Sequence, residues 1–229
     1  MSDFKLADLA KMFDHSLLQP TLTDADLDNG FAVAHEYAVA SVCVKPYAVA
    51  RAAAALQGSG VKVGTVIGFP HGAHRSSIKT AEAELAMADG AVELDMVVNV
   101  GKVLSGDWKY VRDDIAAVVE PAHRRGAKVK VIFENCFLQD AHKIELCRIC
   151  GDLAADWVKT STGYGDSGAT DHDLKLMRAH SPPSVQVKAA GGVRTFDQVL
   201  AVRALGVTRI GATATKAILD ECRQRLGSA

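Results

Sequence analysis

An α/β fold, a single (β/α)8 TIM barrel with a short N-terminal lead-in helix, is the architecture this sequence predicts. Short apolar runs and helix-length segments alternate eight times, and glycines mark most of the breaks between them. No composition shift, Pro-rich linker or low-complexity stretch interrupts the series, so the expectation is one barrel domain over residues 1–229. A chain of 229 residues is close to the usual length of such a barrel, about 250 residues. An open doubly wound sheet is the rival arrangement, but no Gly-x-Gly-x-x-Gly opens the first helix to support it.

The elements follow in order. Asp3 to Lys11 reads as the amphipathic lead-in helix and Phe13 to Leu18 as the first strand, stopped by Pro20. Thr23 with Asp26 opens a helix. Ala40 to Lys45 is the second strand, and Pro46 suits the first turn of a helix through Leu56, closed by Gly58 and Gly60. Val61 to Phe69 is the third strand, Ala73 to Asp89 a helix, and Ala91 to Val98 the fourth strand, almost continuously apolar as a strand buried on both faces should be. Gly106 and Asp107 lead into a helix to Arg125, Gly126 breaks it, and Lys128 to Glu134 is the fifth strand. The period continues with a helix over Leu138 to Cys150, a sixth strand over Asp156 to Ser161 and a helix over Asp171 to His180. Val185 to Ala190 is the seventh strand, Thr195 to Leu205 a helix, Val207 to Gly211 the eighth strand, and Thr213 to Leu226 the closing helix.

Composition narrows the function classes. With 26 basic and 27 acidic residues the charge is nearly balanced, which gives no support to nucleic acid as a partner. His123, Arg124 and Arg125 form the one compact basic cluster and suit a helix C-terminus. No apolar run is long enough to span a bilayer and the N-terminus lacks the apolar region of a secretory signal, so no membrane partner is expected. Five cysteines without a regular framework fit a reduced, cytoplasmic protein.

The informative residues are the ionisable ones that interrupt the strands. Asp95, Lys130, Lys159 and Lys188 each sit inside or at the end of an apolar run, near the carboxyl ends where barrels carry their chemistry. Lys130, Lys159 and Lys188 fall at equal intervals of one strand-helix unit. If all three face inward, two ammonium groups flank Lys159. Two like charges at about 4 Å repel by roughly 4 kcal/mol at an effective dielectric of about 20, enough to leave Lys159 a neutral, nucleophilic amine. Amines neutralised by a second cation serve Schiff-base chemistry on carbonyl substrates. Asp95 then reads as a general acid/base acting through water. The plainer reading pairs each lysine with a carboxylate, Glu93 and Glu134 being available.

A second signal is anion capture. Gly163, Gly165 and Gly168 follow the sixth strand, Gly191 and Gly192 the seventh, and Gly211, Ala212 and Thr213 the eighth. The loops after the last two strands, with a helix N-terminus, commonly hold phosphate in such barrels.

Four segments together resemble the 2-deoxyribose-5-phosphate aldolase family. They are Val-Lys-Thr-Ser-Thr-Gly around Lys159, Val-Lys-Ala-Ala-Gly-Gly-Val-Arg-Thr around Lys188, Glu-Leu-Asp-Met-Val-Val-Asn over Glu93 to Asn99, and Ile-Gly-Phe-Pro-His-Gly-Ala over Ile67 to Ala73. The resemblance runs from about Asp14 to Ile218. It implies a class I aldolase with no cofactor and no metal, acting on a phosphosugar, and a homo-oligomer, dimer or tetramer. It implies Lys159 as the Schiff-base lysine, Lys188 as the lysine that lowers its pKa, Asp95 as the acid/base, and Lys130 as a helper with the substrate hydroxyl and proton transfer. Asp14 and Ser16 match positions lining the pocket, and Thr160, Gly163, Gly191, Gly192, Gly211 and Thr213 complete the substrate-binding set. Ala214 stands where family members often carry serine, leaving Thr213 as the substitute hydroxyl, and the chain ends without the C-terminal tyrosine of the longer branch.

Rival readings rest on other residues. His71 and His74 offer a metal-dependent aldolase or isomerase, although a catalytic zinc needs about three protein ligands. Cys147 and Cys150 form a C-x-x-C with Cys136 and His142 nearby, more simply read as buried helix cysteines. Cys43, on the second strand, reads as core that approaches the pocket mouth. A phosphosugar-binding barrel without turnover is the non-enzyme alternative; binding alone would not need Lys159, Lys188 and Asp95 together.

Overall fold

The computed structural model describes residues 5–227. Eight parallel strands close into a barrel in chain order, β1 through β8, with β1 paired to β8. The strands are β1 Phe13–Leu17, β2 Ser41–Val44, β3 Lys62–Ile67, β4 Glu93–Val97, β5 Lys128–Ile132, β6 Trp157–Lys159, β7 Gln186–Ala190 and β8 Val207–Ala212. The helices are α1 Leu6–Ala10, α2 Asp24–Glu36, α3 Val49–Ala55, α4 Ser76–Ala88, α5 Val100–Leu104, α6 Trp108–Arg124, α7 Asp140–Asp152, α8 Asp171–His180, α9 Phe196–Ala204 and α10 Thr215–Gly227. Of the expected lead-in helix, Asp3 and Phe4 lie outside the described residues and Leu6–Ala10 is helical. No helix among the described residues is long and apolar enough to cross a membrane.

Helix ends follow their capping residues. Thr23 accepts from Asp26 N at 3.3 Å while the Asp26 carboxylate accepts from Thr23 N at 2.8 Å, a reciprocal box that fixes the start of α2. Thr195 and Gln198 do the same for α9. The expected helix from Ala73 begins later, at Ser76. Gly72 has φ +65°, closes a turn onto Gly68 O and lies so close to the end of β4 that an added Cβ would sit 1.9 Å from Val98 O, which holds this loop against the barrel rim. One helix was not expected: α5, whose Asn99 side chain caps Lys102 N at 3.1 Å. Five residues are too few to show a helical period.

The outer layer is fastened to the barrel by buried polar contacts as well as aliphatic packing. Pro121 inside α6 has no N–H to give Ala117 O, and Thr80 Oγ1 of α4 donates to that carbonyl at 3.0 Å instead. Beside it Lys79, fully buried, donates to Asp114 at 2.6 Å and to Val97 O at 2.8 Å, tying α4 to α6 and to the end of β4. Removing one partner of such a pair typically costs about 3–5 kcal/mol.

Candidate active site

Parallel strands alternate their side chains, so every second residue enters the barrel. At the carboxyl ends of the strands Ser16, Cys43, Lys159, Lys188, Ala190 and Gly211 line a cavity of about 180 Å³. Asp14, Gly163, Gly191, Gly192 and Thr213 line it as well, in keeping with the sequence. Thr160 does not. One residue from Lys159 along the chain, it turns away, and its hydroxyl bonds the backbone of Ala190 at 3.1 Å, clamping β6 to β7. Its contribution is to strand geometry. The loops after these two strands also touch, since a Cβ on Gly168 would lie 2.2 Å from Gly191 O.

Beneath the cavity is an ion cluster of four cations and three carboxylates. Asp95 Oδ2 accepts from Lys159 and from Lys188, each at 2.7 Å, and Oδ1 accepts from Lys130 at 2.9 Å. Asp14 pairs with Lys188, with Arg209 and, at 3.2 Å, with Lys130. Glu93 pairs with Lys130 at 2.6 Å and is gripped by both Arg209 nitrogens at 3.0 and 3.1 Å. Ser41 donates to Asp14 at 2.6 Å. The Trp157 ring lies against this layer, with the Arg209 guanidinium 4.9 Å from its centroid.

This geometry sorts the cations. Lys130 touches three carboxylates, Lys188 and Arg209 two each, and Lys159 only Asp95, through an oxygen it shares with Lys188. Burial disfavours every charge here. For Lys130 and Lys188 the carboxylates outweigh it, and both pKa values are raised, that of Lys130 well above the usual range. For Lys159 burial is the largest influence, the Asp95 charge opposes it, and Lys188 adds to it; its pKa is lowered. Asp95 and Asp14 are fully buried, which alone would raise them, yet the surrounding cations hold both well below the carboxylate range. Lys159 is the one cation that three carboxylates leave over.

The expected arrangement of the lysines needs one correction. Lys159 stands level with Lys188, but Lys130 is level with Trp157, and Ile132 is the β5 neighbour of Lys159. Strands of a closed barrel are staggered, so equal sequence spacing does not place residues in one layer. Lys130 lies below Lys159 and is absent from the cavity wall, as is Asp95. The cation that presses most on Lys159 is therefore Lys188, and burial exceeds it as a cause.

Sequence reasoning missed Arg209, the partner of Asp14 and Glu93. Its position between Val207 and Gly211, two residues from each on the same strand, was the available signal. Thr162, Tyr164, Gln19 and Arg194, all on the cavity wall, were missed as well because loop residues have no period.

The other clusters stand apart. His71 and His74 are both exposed on the loop between β3 and α4, and the one trio of metal-type ligands among the described residues is Asp140, His172 and Asp173, where the Lys143 ammonium already bonds both carboxylates. Cys147 and Cys150 are buried in α7, and burial pushes the Cys147 thiol up to about 11 and that of Cys150 well above its usual value. His142 Nδ1 accepts from Gln139 N at the start of α7. Cys43 lines the cavity, packs with Leu18, Val66 and Phe69, and is pushed by burial up to about 11, so it is a thiol at neutral pH.

Residues 8–220 match the sequence profile of the DeoC/LacD family aldolases. The deoxyribose-phosphate aldolase of Rhodopirellula baltica is 60% identical over 227 residues, covering 99% of this chain and 94% of that protein. That of Thermococcus gammatolerans is 46% identical, covering 94% of this chain and 97% of its own length. The solved deoxyribose phosphate aldolase of Aeropyrum pernix, described as having a unique tetrameric structure, superposes with a TM-score of 0.89 at 29% identity, covering 96% of this chain and 93% of that one.

Proposed function

The chain belongs to the DeoC/LacD family of aldolases, and from that premise we propose how its barrel carries out the reaction. It is a class I aldolase that reversibly cleaves 2-deoxy-D-ribose 5-phosphate to D-glyceraldehyde 3-phosphate and acetaldehyde through a lysine Schiff base. The observation that carries the assignment of Lys159 as that lysine is the imbalance of the ion cluster. Among four cations and three carboxylates, Lys159 has the fewest partners, lines the cavity and has a lowered pKa.

In the cleavage direction the neutral Lys159 amine attacks the C1 aldehyde, and loss of water gives the iminium. The C3 hydroxyl loses its proton, the C2–C3 bond breaks toward the iminium, and glyceraldehyde 3-phosphate departs. The enamine left on Lys159 is protonated at C2, and water releases acetaldehyde. Asp95, bonded to Lys159, serves as the acid/base group through a water molecule. Burial first and Lys188 after it lower the pKa of the amine. Lys130, absent from the cavity wall like Asp95, acts by holding Asp95 Oδ1 at 2.9 Å and is a positioning residue.

The substrate phosphate suits the loops after β7 and β8, where Gly191, Gly192, Gly211 and Thr213 line the cavity beside the start of α10, and Arg194 adds a cation sequence reading did not supply. We read the whole chain as one domain that assembles as a homo-oligomer. Its five cysteines, all free thiols, suit a reducing cytoplasm.

Borohydride trapping tests the assignment. Incubation with deoxyribose 5-phosphate or acetaldehyde, followed by reduction and peptide mass spectrometry, places the added mass on Lys159, with or without a chelator. A folded protein that labels no lysine, or labels another, overturns it.

A further inference from the structure

A second cavity of about 220 Å³ opens beside the first, among residues that include Pro70, Val100, Glu134, Phe137, Thr162 and Tyr164. These residues follow β3, β4, β5 and β6, the half of the barrel mouth that the phosphate loops after β7 and β8 leave free. Its wall is largely apolar. Thr162 and Tyr164 line both cavities and form the partition between them.

The two halves of that partition differ in how they are held. Thr162 is a fixed post: it is buried, its N–H donates to Glu134 at 3.1 Å, and its hydroxyl bonds the other carboxylate oxygen. The Tyr164 side chain is 45% exposed and spans the mouth. Its hydroxyl donates to Leu18 O at 2.9 Å, after β1, and its ring packs edge-on to Phe69, after β3, at 5.4 Å between centroids. A ring anchored at both sides is a wall, and the space behind it is largely apolar, with His71 and Glu134 among its lining.

We propose that Tyr164 is a specificity-determining residue: its ring closes the catalytic cavity toward β3–β6 and keeps the uncharged alkyl or aryl chain of an acceptor aldehyde out of the cavity behind it. The inference rests on the aldolase reading of the site. In the synthetic direction the enamine carbon on Lys159 bonds to the acceptor carbonyl carbon, the carbonyl oxygen takes a proton, and water frees the product from the lysine. An acceptor carrying phosphate places its tail on the loops after β7 and β8. An acceptor with an apolar tail has no partner there, and Tyr164 bars it from the apolar half of the mouth.

The test compares acetaldehyde addition to 3-phenylpropanal and to D-glyceraldehyde 3-phosphate, as the ratio of their kcat/KM values. Tyr164→Ala joins the cavities and raises the ratio for the aryl acceptor about 10-fold or more, the scale of an added apolar contact in a pocket. Tyr164→Phe keeps the ring against Phe69 and moves the ratio less. Val100→Trp, added to Tyr164→Ala, refills the second cavity and cancels the gain. The proposal is overturned if folded, active Tyr164→Ala leaves the ratio unchanged, or if the gain survives Val100→Trp. Should Tyr164→Ala fail to fold by circular dichroism, Tyr164→Leu is put to the same comparison. Cleavage of deoxyribose 5-phosphate by the unaltered protein is measured alongside, so that failure of the aldolase reading shows there and failure of this one shows only in the ratio.

Discussion

Replacing Lys188 by methionine changes one charge in a closed account of seven. With Lys188 present the cluster has a surplus cation, and Lys159, with the fewest carboxylate partners and a pKa lowered by burial and by Lys188, is the one held least to its proton. Without it three cations face three carboxylates, and the Lys159 ammonium becomes the remaining counterion of Asp95 Oδ2. The two ammonium nitrogens each lie 2.7 Å from that oxygen, so they are separated by no more than about twice that distance. At about 5 Å and an effective dielectric of about 20 their repulsion is about 3 kcal/mol, which corresponds to about 10²-fold in the rate of a step that needs the neutral amine.

Lys188→Met should therefore slow imine formation at pH 7 by about 10²-fold and regain much of the loss as pH rises, because the neutral fraction of Lys159 returns on the alkaline side. Rapid-quench borohydride trapping across pH 6 to 10, with a melting curve to confirm the fold, measures this. Unchanged trapping at pH 7 refutes the charge argument. So does a loss that stays constant at all pH values, since that would make Lys188 a group acting on substrate rather than on Lys159.

Arg209→Met removes a cation that touches neither Asp95 nor Lys159, so it tests the same tally at longer range; at roughly 10 Å the repulsion is about 1.5 kcal/mol, and the expected loss of kcat/KM at pH 7 is about 10-fold with recovery toward higher pH. A larger, pH-independent loss would mean that Arg209 matters through packing on Trp157 instead. His15 is buried on β1, shares a 2.9 Å hydrogen bond with Thr215 at the start of α10, and is lowered by burial to about 4 from 6.5. The unfolded chain takes up this proton first, so stability falls as pH drops from about 6.5 toward 4, by about 3 kcal/mol in total. Urea midpoints at pH 7 and 4.5 read the loss, and His15→Asn should flatten the difference; an unaltered difference would refute the His15 assignment, since the cluster carboxylates contribute a loss only at lower pH, below about 4.

The sequence alone carried the barrel, because β/α alternation is a local pattern that repeats and each strand's apolar run is forced by burial on both faces. It singled out Lys159, Lys188 and Asp95 as candidates for a related reason: an ionisable residue in such a run is costly, and its place is visible without coordinates. It misjudged the start of α4, where a contact between Gly72 and the end of β4 decides. It missed α5, too short to show a period, and it placed Thr160 in the pocket although strand alternation turns it outward. What only the tertiary structure decided was the vertical stagger of the strands. Stagger puts Lys130 one layer below Lys159, brings Arg209 from β8 across to Glu93 on β4, and leaves Lys159 with a single shared carboxylate. None of these is a property of any one segment. Shear is fixed by closing all eight strands at once, and the charge on the central lysine follows from which side chains that closure makes neighbours.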